Sequence, residues 1–247
     1  MTTTFTEVRT VSATVPLVHL QDALTWVAPC AATGRRPALE PECLRSIEVR
    51  IAEAGSHAPH FGKDWGHVTA EGRAVSFAAT DRYRLGWATL QALSEGEHES
   101  GDTGEATFLI DAKALAAAVK SLPKSKRGMP VNTVRFTFDQ DTQLVTLDVF
   151  EYGTDLVSSV KFQTVPESFP KYQALIPDVT LPDYTAEAFH VNAAFVADFA
   201  KAAVKVHAEG TMRIAPRSSK ACAVATAWVD DCAPRFSAIL MPVRTPR

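Results

Sequence analysis

Apolar residues along this chain follow two rhythms, and the change from one to the other marks where each element begins. Ile47, Val49 and Ile51 alternate with Glu48 and Arg50, and Val75, Phe77 and Ala79, then Leu85 and Trp87, keep the same period. It returns in Val134, Phe136 and Phe138, in Val145, Leu147 and Val149, and in Val160 and Phe162. Near the C-terminus it runs through Met212 and Ile214, Ala221 to Ala225, and Phe236, Ala238 and Leu240. A period of two marks strands with one buried face, so these segments predict one-sided antiparallel sheets. The Asp139 to Thr142 segment and Gly153 supply the turns between three of them.

Between these runs the period lengthens to that of a helix. Leu115, Val119 and Leu122 fall on one side of a helical wheel, as do Phe195, Phe199 and Val206. Each helical run follows a short apolar strand and a polar cap: Phe108-Leu109-Ile110 before Asp111, and Phe189-His190-Val191 before Asn192. A weaker copy opens the chain, with a strand at Val11 to Ala13, Thr14 as cap, Pro16 in the first turn and a helix to about Ala28. The chain therefore reads as α+β, built from three β-α-β-β-β units. The first two units, about 8–93 and 104–165, form one domain over 1–177 that ends in a Pro-rich connector from Pro166 to Pro182. The third fills a half domain over 178–247.

With 46% hydrophobic and 21% charged residues, the composition is that of a soluble globular chain. Met1 to Val15 has no basic segment followed by a long apolar run, and nothing approaches roughly 18 consecutive apolar residues, so an intracellular, cytoplasmic protein without a membrane span is expected. The net charge of −3 hides an uneven distribution. Ala112 to Phe138 contains no acid yet holds Lys113, Lys120, Lys124, Lys126, Arg127 and Arg135, whereas Glu95, Glu97, Glu99, Asp102 and Glu105 crowd one loop. One selected surface is basic on an otherwise acidic protein.

Candidate chemistry is sparse. Cys30, Cys43, Cys222 and Cys232 form no CxxC pair and read as free thiols. His57, His60, His67 and Asp64 could be drawn as the metal site of a hydrolase, but they lie in a loop with no helix to set two ligands on one face. A nucleophile elbow, a phosphate-binding glycine loop and a paired-carboxylate motif are all missing, so neither an enzyme nor a cofactor or metal is expected.

Three stretches carry a more specific signal: Ala79-Thr80-Asp81-Arg82-Tyr83-Arg84-Leu85, Phe169-Pro170-Lys171-Tyr172 and Met241-Pro242-Val243-Arg244. All three resemble stretches of the bacterial DNA sliding clamp, the beta subunit of DNA polymerase III, in that family's order. The resemblance covers about Val11 to Arg244 and looks like the clamp's middle domain joined to the second half of its last domain. It implies antiparallel sheets outside and helices lining a ring. It also implies a non-enzymatic processivity factor that encircles duplex DNA without reading its sequence and tethers a DNA polymerase, and meets the clamp loader, through short linear peptides. Such a reduced, alanine-rich clamp would suit a phage of a GC-rich bacterium.

In that family the three stretches meet at a peptide-binding groove. The matching positions here are Leu44, Thr80, Asp81, Arg82, Tyr83, Arg84, Leu85, Pro170, Tyr172, Ala174, Leu175, Ile239, Met241, Pro242, Val243 and Arg244. Apolar side chains around a methionine suit a short peptide with apolar anchors. Two departures fall at this groove: Arg82-Tyr83 stands where the family commonly has Gly-His, and Thr245, Pro246 and Arg247 replace a hydrophobic end. The resemblance also casts Lys113, Lys120, Lys124, Lys126, Arg127, Lys201, Lys205, Arg35 and Arg36 as the DNA-facing cations. Lysines suit a sliding contact because a flexible point charge passes from phosphate to phosphate without pinning the ring.

Family rings resemble a circle of twelve such units, so a chain of three units points to a homotetramer. That ring would form through third-unit pairing at one end and first-unit edge contacts at the other. A homotrimer is the alternative and requires a fourth unit, between Glu53 and Gly66 or in the connector. The competing function is a clamp-fold interaction module that recruits transcription or repair proteins without closing a ring.

Overall fold

In the computed structural model, which describes residues 10–33, 40–53, 72–93, 104–122, 132–151, 153–172, 191–206, 212–216, 223–227 and 236–241, the alternating runs are strands and the capped runs are helices. The first run of elements is β1 (Thr10–Pro16), α1 (Leu17–Val27), β2 (Ser46–Glu53), β3 (Arg73–Thr80) and β4 (Arg84–Gln91). The second is β5 (Ala106–Asp111), α2 (Ala112–Ser121), β6 (Asn132–Asp139), β7 (Leu144–Glu151) and β8 (Asp155–Gln163). The third is α3 (Ala193–Val206), β9 (Met212–Pro216), β10 (Ala223–Ala227) and β11 (Phe236–Leu240).

The helix starts follow from their caps. The Asp111 carboxylate accepts from the Ala114 amide at 2.7 Å, and the Asn192 side-chain oxygen accepts from the Ala194 amide at 2.9 Å. The entry to α1 differs from expectation. Thr14 stays in β1 opposite Arg135, and Pro16, in extended conformation, takes the cap position with no side-chain cap bond. Proline's fixed φ suits the turn into the helix, and α1 starts without a capping side chain. The α1 helix then tightens into a 3-10 turn over Ala28–Cys30, which contains Pro29. Of the strand expected at Phe189 to Val191, Phe189 and His190 lie outside the described residues, and Val191 belongs to no strand.

The first two units exchange their leading strands. A four-stranded sheet has the order β1-β6-β7-β8, and a seven-stranded sheet the order β5-β2-β3-β4-β11-β10-β9. Thus β1 pairs with β6 of the second unit while β5 pairs with β2 of the first, all antiparallel. Both sheets share one core with the helices. Phe77 meets Phe136 at 5.8 Å, and Phe108 stacks on Phe138 at 4.7 Å. Trp26 of α1 lies 5.1 Å from Phe199 of α3 and 6.1 Å from Phe236 of β11, and its indole N–H donates to the Ser237 carbonyl at 2.9 Å. One side chain thereby ties the first unit to the third.

The seven-stranded sheet is not one-sided throughout. On β4, Ala88 and Leu90 face the shared core, while Leu85 and Trp87 join Ala78 and Ile239 in a second cluster on the outer face. Leu85 was expected at the groove, and Trp87 only as part of a one-sided strand. They turn outward because Phe169 and Tyr172 of the connector cover the outer surface there. On α3, Phe199 is buried and Phe195 half-buried as expected, with Ala202 and Ala203 also buried; the side chain of Val206 lies outside the described residues.

Candidate functional site

The outer cluster sits on a seam between units. β4 and β11 run antiparallel with Arg84 opposite Leu240, Leu85 opposite Ile239 and Gly86 opposite Ala238. Because side chains alternate across a strand, Leu85 and Ile239 point outward together while Arg84 and Leu240 point toward the helices. Phe169 and Tyr172 pack edge to face at 5.7 Å on the outer side. Tyr83 is 65% exposed and Met241 42% exposed, and the Met241 amide donates to the Tyr83 carbonyl at 3.3 Å, which places both at the rim. The three separated stretches quoted from the sequence therefore meet on one surface.

A compact loop shapes one wall. Asp81 accepts from the amides of Tyr83 and Arg84, both at 3.0 Å, and the Thr80 hydroxyl donates to the Arg84 carbonyl at 2.7 Å while accepting from the Arg82 amide at 3.1 Å. These bonds hold Arg82 at a φ of 77°, in the left-handed region where glycine costs least. Arg82 is the position at which the clamp family commonly has glycine.

Arg84 supports this wall from beneath. Its guanidinium pairs with Asp81 at 3.1 Å and with Asp198 of α3 at 2.6 Å, and lies 4.5 Å over the Phe195 ring. Burial disfavours the charge, but the Asp198 hydrogen bond and the neighbouring acids outweigh it and leave the Arg84 pKa above its ordinary value. Next to it, Gly86 admits the close approach of Cys30, whose Sγ would stand 2.6 Å from a Cβ at that position. Burial pushes the Cys30 thiol pKa far up, so this cysteine stays a neutral packing group.

The connector is pinned at several points. The Val165 amide donates to the Leu109 carbonyl at 2.9 Å, and the Glu167 carboxylate accepts from the Cys43 amide at 2.8 Å. Leu44, buried in the 3-10 turn Glu42–Arg45, is thereby next to the connector although it is not grouped with the outer cluster. The Tyr172 hydroxyl is hydrogen-bonded to Glu48 of β2. Burial raises the Glu48 pKa, and burial together with the Glu48 charge raises that of Tyr172. Pro170 is exposed beside them. Ala174, Leu175, Pro242, Val243 and Arg244 lie outside the described residues.

Sequence reasoning missed Ala78, Trp87 and Glu48. Trp87 was within reach, since it lies two residues beyond Leu85 on the same face, and Ala78 sits opposite it in the β3–β4 register.

The candidate DNA-facing lysines lie elsewhere. Lys113 and Lys120 on α2, and Lys201 and Lys205 on α3, are all exposed, opposite the buried faces of their helices. None of them makes an ion pair among the described residues. α1 packs against both α2 and α3. Lys124, Lys126, Arg127, Arg35 and Arg36 lie outside the described residues, as do His57, His60, His67, Asp64, Cys222 and Cys232. No described helix is long and apolar enough to cross a membrane.

Comparison with solved structures identifies the fold. The DNA polymerase III subunit beta from Pseudomonas aeruginosa superposes with a TM-score of 0.63 at 10% identity, over 99% of this chain and 69% of that one. The Helicobacter pylori beta clamp bound to a DNA ligase peptide superposes with a TM-score of 0.60 at 14% identity, over 99% of this chain and 68% of that one. The chain has the DNA sliding-clamp fold. No protein-family model matches the sequence, and no curated protein sequence matches it. The likeness to clamps is thus carried by the fold, over almost the whole chain, and by the short stretches at the outer seam.

Proposed function

We propose that the chain is a DNA polymerase processivity factor: a sliding clamp whose subunits close a ring around duplex DNA and whose outer seam tethers polymerase and other partners. The observation that carries this reading is the meeting of Thr80 to Leu85, Phe169 to Tyr172 and Ile239 to Met241 on one surface of a clamp fold. An apolar floor with an exposed methionine and tyrosine at its rim suits a short peptide with Leu or Phe anchors. The H. pylori clamp, which is bound to a DNA ligase peptide in its crystal structure, supports the same use of this fold.

The exposed lysines of α2 and α3 serve as sequence-independent phosphate contacts, and Lys124, Lys126, Arg127, Arg35 and Arg36 extend them. The chain divides into a clamp domain over 1–177 and a half domain over 178–247, and three units per chain favour a homotetramer. One expectation about that ring needs correcting. First-unit edge contacts cannot close it through β4, because β11 occupies that edge. The regions sought for a fourth unit, which a homotrimer needs, lie largely outside the described residues.

Calorimetric titration with the C-terminal peptide of the partner replicative polymerase tests the groove. Met241→Asp places a charge in the apolar socket and should weaken binding by about tenfold or more. Equal affinity for the two proteins would remove the peptide-groove reading.

A further inference from the structure

Each unit ends in an outer strand: β4 in the first, β8 in the second and β11 in the third. Two of the three are joined to each other, since β4 and β11 pair from Arg84↔Leu240 to Phe236↔Ala88. The third, β8, pairs with β7 alone and ends the four-stranded sheet among the described residues. An edge strand left open to solvent usually carries charge or proline along it. β8 has a bulge, with Val157 as the extra residue between the pairs Val149↔Ser158 and Phe150↔Leu156, yet it presents Leu156 at 59% and Val157 at 46% exposure. Its only charged residues are Asp155 near one end and Lys161 near the other.

We propose that β8 pairs antiparallel with β8 of a second copy of this chain, across a two-fold axis. The argument is one of elimination. In every copy β4 and β11 are already used on each other, so the only outer strand of this kind left to meet β8 is another β8, and identical surfaces meet through a two-fold. The strand is also self-complementary in charge. An antiparallel copy brings the Asp155 end of each strand to the Lys161 end of the other, whereas a parallel copy would set Asp155 against Asp155. Pairing covers Leu156 and Val157 and satisfies the open backbone donors and acceptors of the edge. The inference rests on the ring reading only for closure: this two-fold replaces the first-unit contact, and pairing of third units supplies the other.

Ser159 is the exposed middle residue of β8, so full overlap sets it opposite its own copy. Antiparallel partners have Cα atoms about 4.5 to 5.5 Å apart, within the span of a disulfide. Under mild oxidation Ser159→Cys should give a reducible dimer that wild type does not. Leu156→Glu combined with Val157→Glu should halve the native mass in light scattering while leaving the thermal melt of the subunit within about 2 °C. If wild type is oligomeric but Ser159→Cys gives no such dimer, or the glutamate pair keeps the wild-type mass, the β8 contact is overturned and the ring reading stands. A wild-type monomer at high concentration overturns both.

Discussion

β4 and β8 occupy the same place in two copies of one plan, yet β4 is buried on both faces and β8 is exposed or half-buried along its whole length. The difference comes from what each strand meets. β4 has α1 on one face, the connector residues Phe169 and Tyr172 toward the other, and β11 along its edge. β8 has only β7 beside it among the described residues. A repeated unit thus takes its surroundings from its neighbours: the same strand is covered on both faces in one copy and bare along its outer edge in the other. The residues reflect this, with Gly86 and Trp87 fitted to close neighbours on β4 and Asp155, Ser159 and Lys161 facing solvent on β8.

Removing a cation from each strand should separate the two most sharply. Arg84→Ala strips a buried guanidinium from Asp81 and Asp198 and should cost about 3 kcal/mol, with the partial exposure of Asp198 holding the cost near the lower end of the range for a broken buried pair. Lys161→Ala on β8 should cost less than about 0.5 kcal/mol. Urea denaturation of both variants checks this, and equal losses would break the comparison.

A smaller effect is expected from crowding. Gly86→Ala forces a Cβ against the Cys30 sulfur and should cost roughly 1 to 3 kcal/mol, most of it recovered in the double variant with Cys30→Ala. Ser159→Ala on β8 meets no such neighbour and should leave the melt of the subunit unchanged. Thermal denaturation of Gly86→Ala, Cys30→Ala, Ser159→Ala and the double variant decides it. If Gly86→Ala were tolerated without loss, the close contact between α1 and β4 would be wrong.

Arg82→Gly should move stability the other way, by about 0.5 to 1 kcal/mol, since it relieves a left-handed backbone at a non-glycine residue. A peptide titration of the same variant would show whether the Arg82 side chain also selects partners at the rim.

The smallest effect is a pH dependence. Burial raises the folded-state pKa of Glu48 above its unfolded value, so the stability linked to this group is fully present below the unfolded pKa and is lost as pH rises through the folded pKa. Glu48→Gln should therefore raise the melting temperature by roughly a degree or two at pH 7, with the gain vanishing on acidification below the ordinary glutamate range. A gain that persisted unchanged at low pH would show that charge burial under Tyr172 is not its cause.

Much of this was legible in the sequence, for physical reasons. Period two and the Asp111 and Asn192 caps were enough to order the strands and helices, because both signals are local. The Arg84 side chain shows the limit. A pattern of residues can assign it to the groove, but which face of β4 it occupies depends on the register with β11, and that places it under the groove against α3. The outward burial of Trp87 was hidden for the same reason, since the connector residues packed against its cluster come about eighty residues later in the chain. Thr14 misled because it has the chemistry of a cap, while its pairing with Arg135 keeps it in β1 and Pro16 takes the cap position.

We propose a closed ring of chains that each bring three units to it. Light scattering coupled to size exclusion, across a range of protein concentrations, tests that claim most directly. The expected mass is that of four chains, each 26.7 kDa. A mass of three chains would contradict the three-unit count, and a monomer persisting at high concentration would contradict the ring itself.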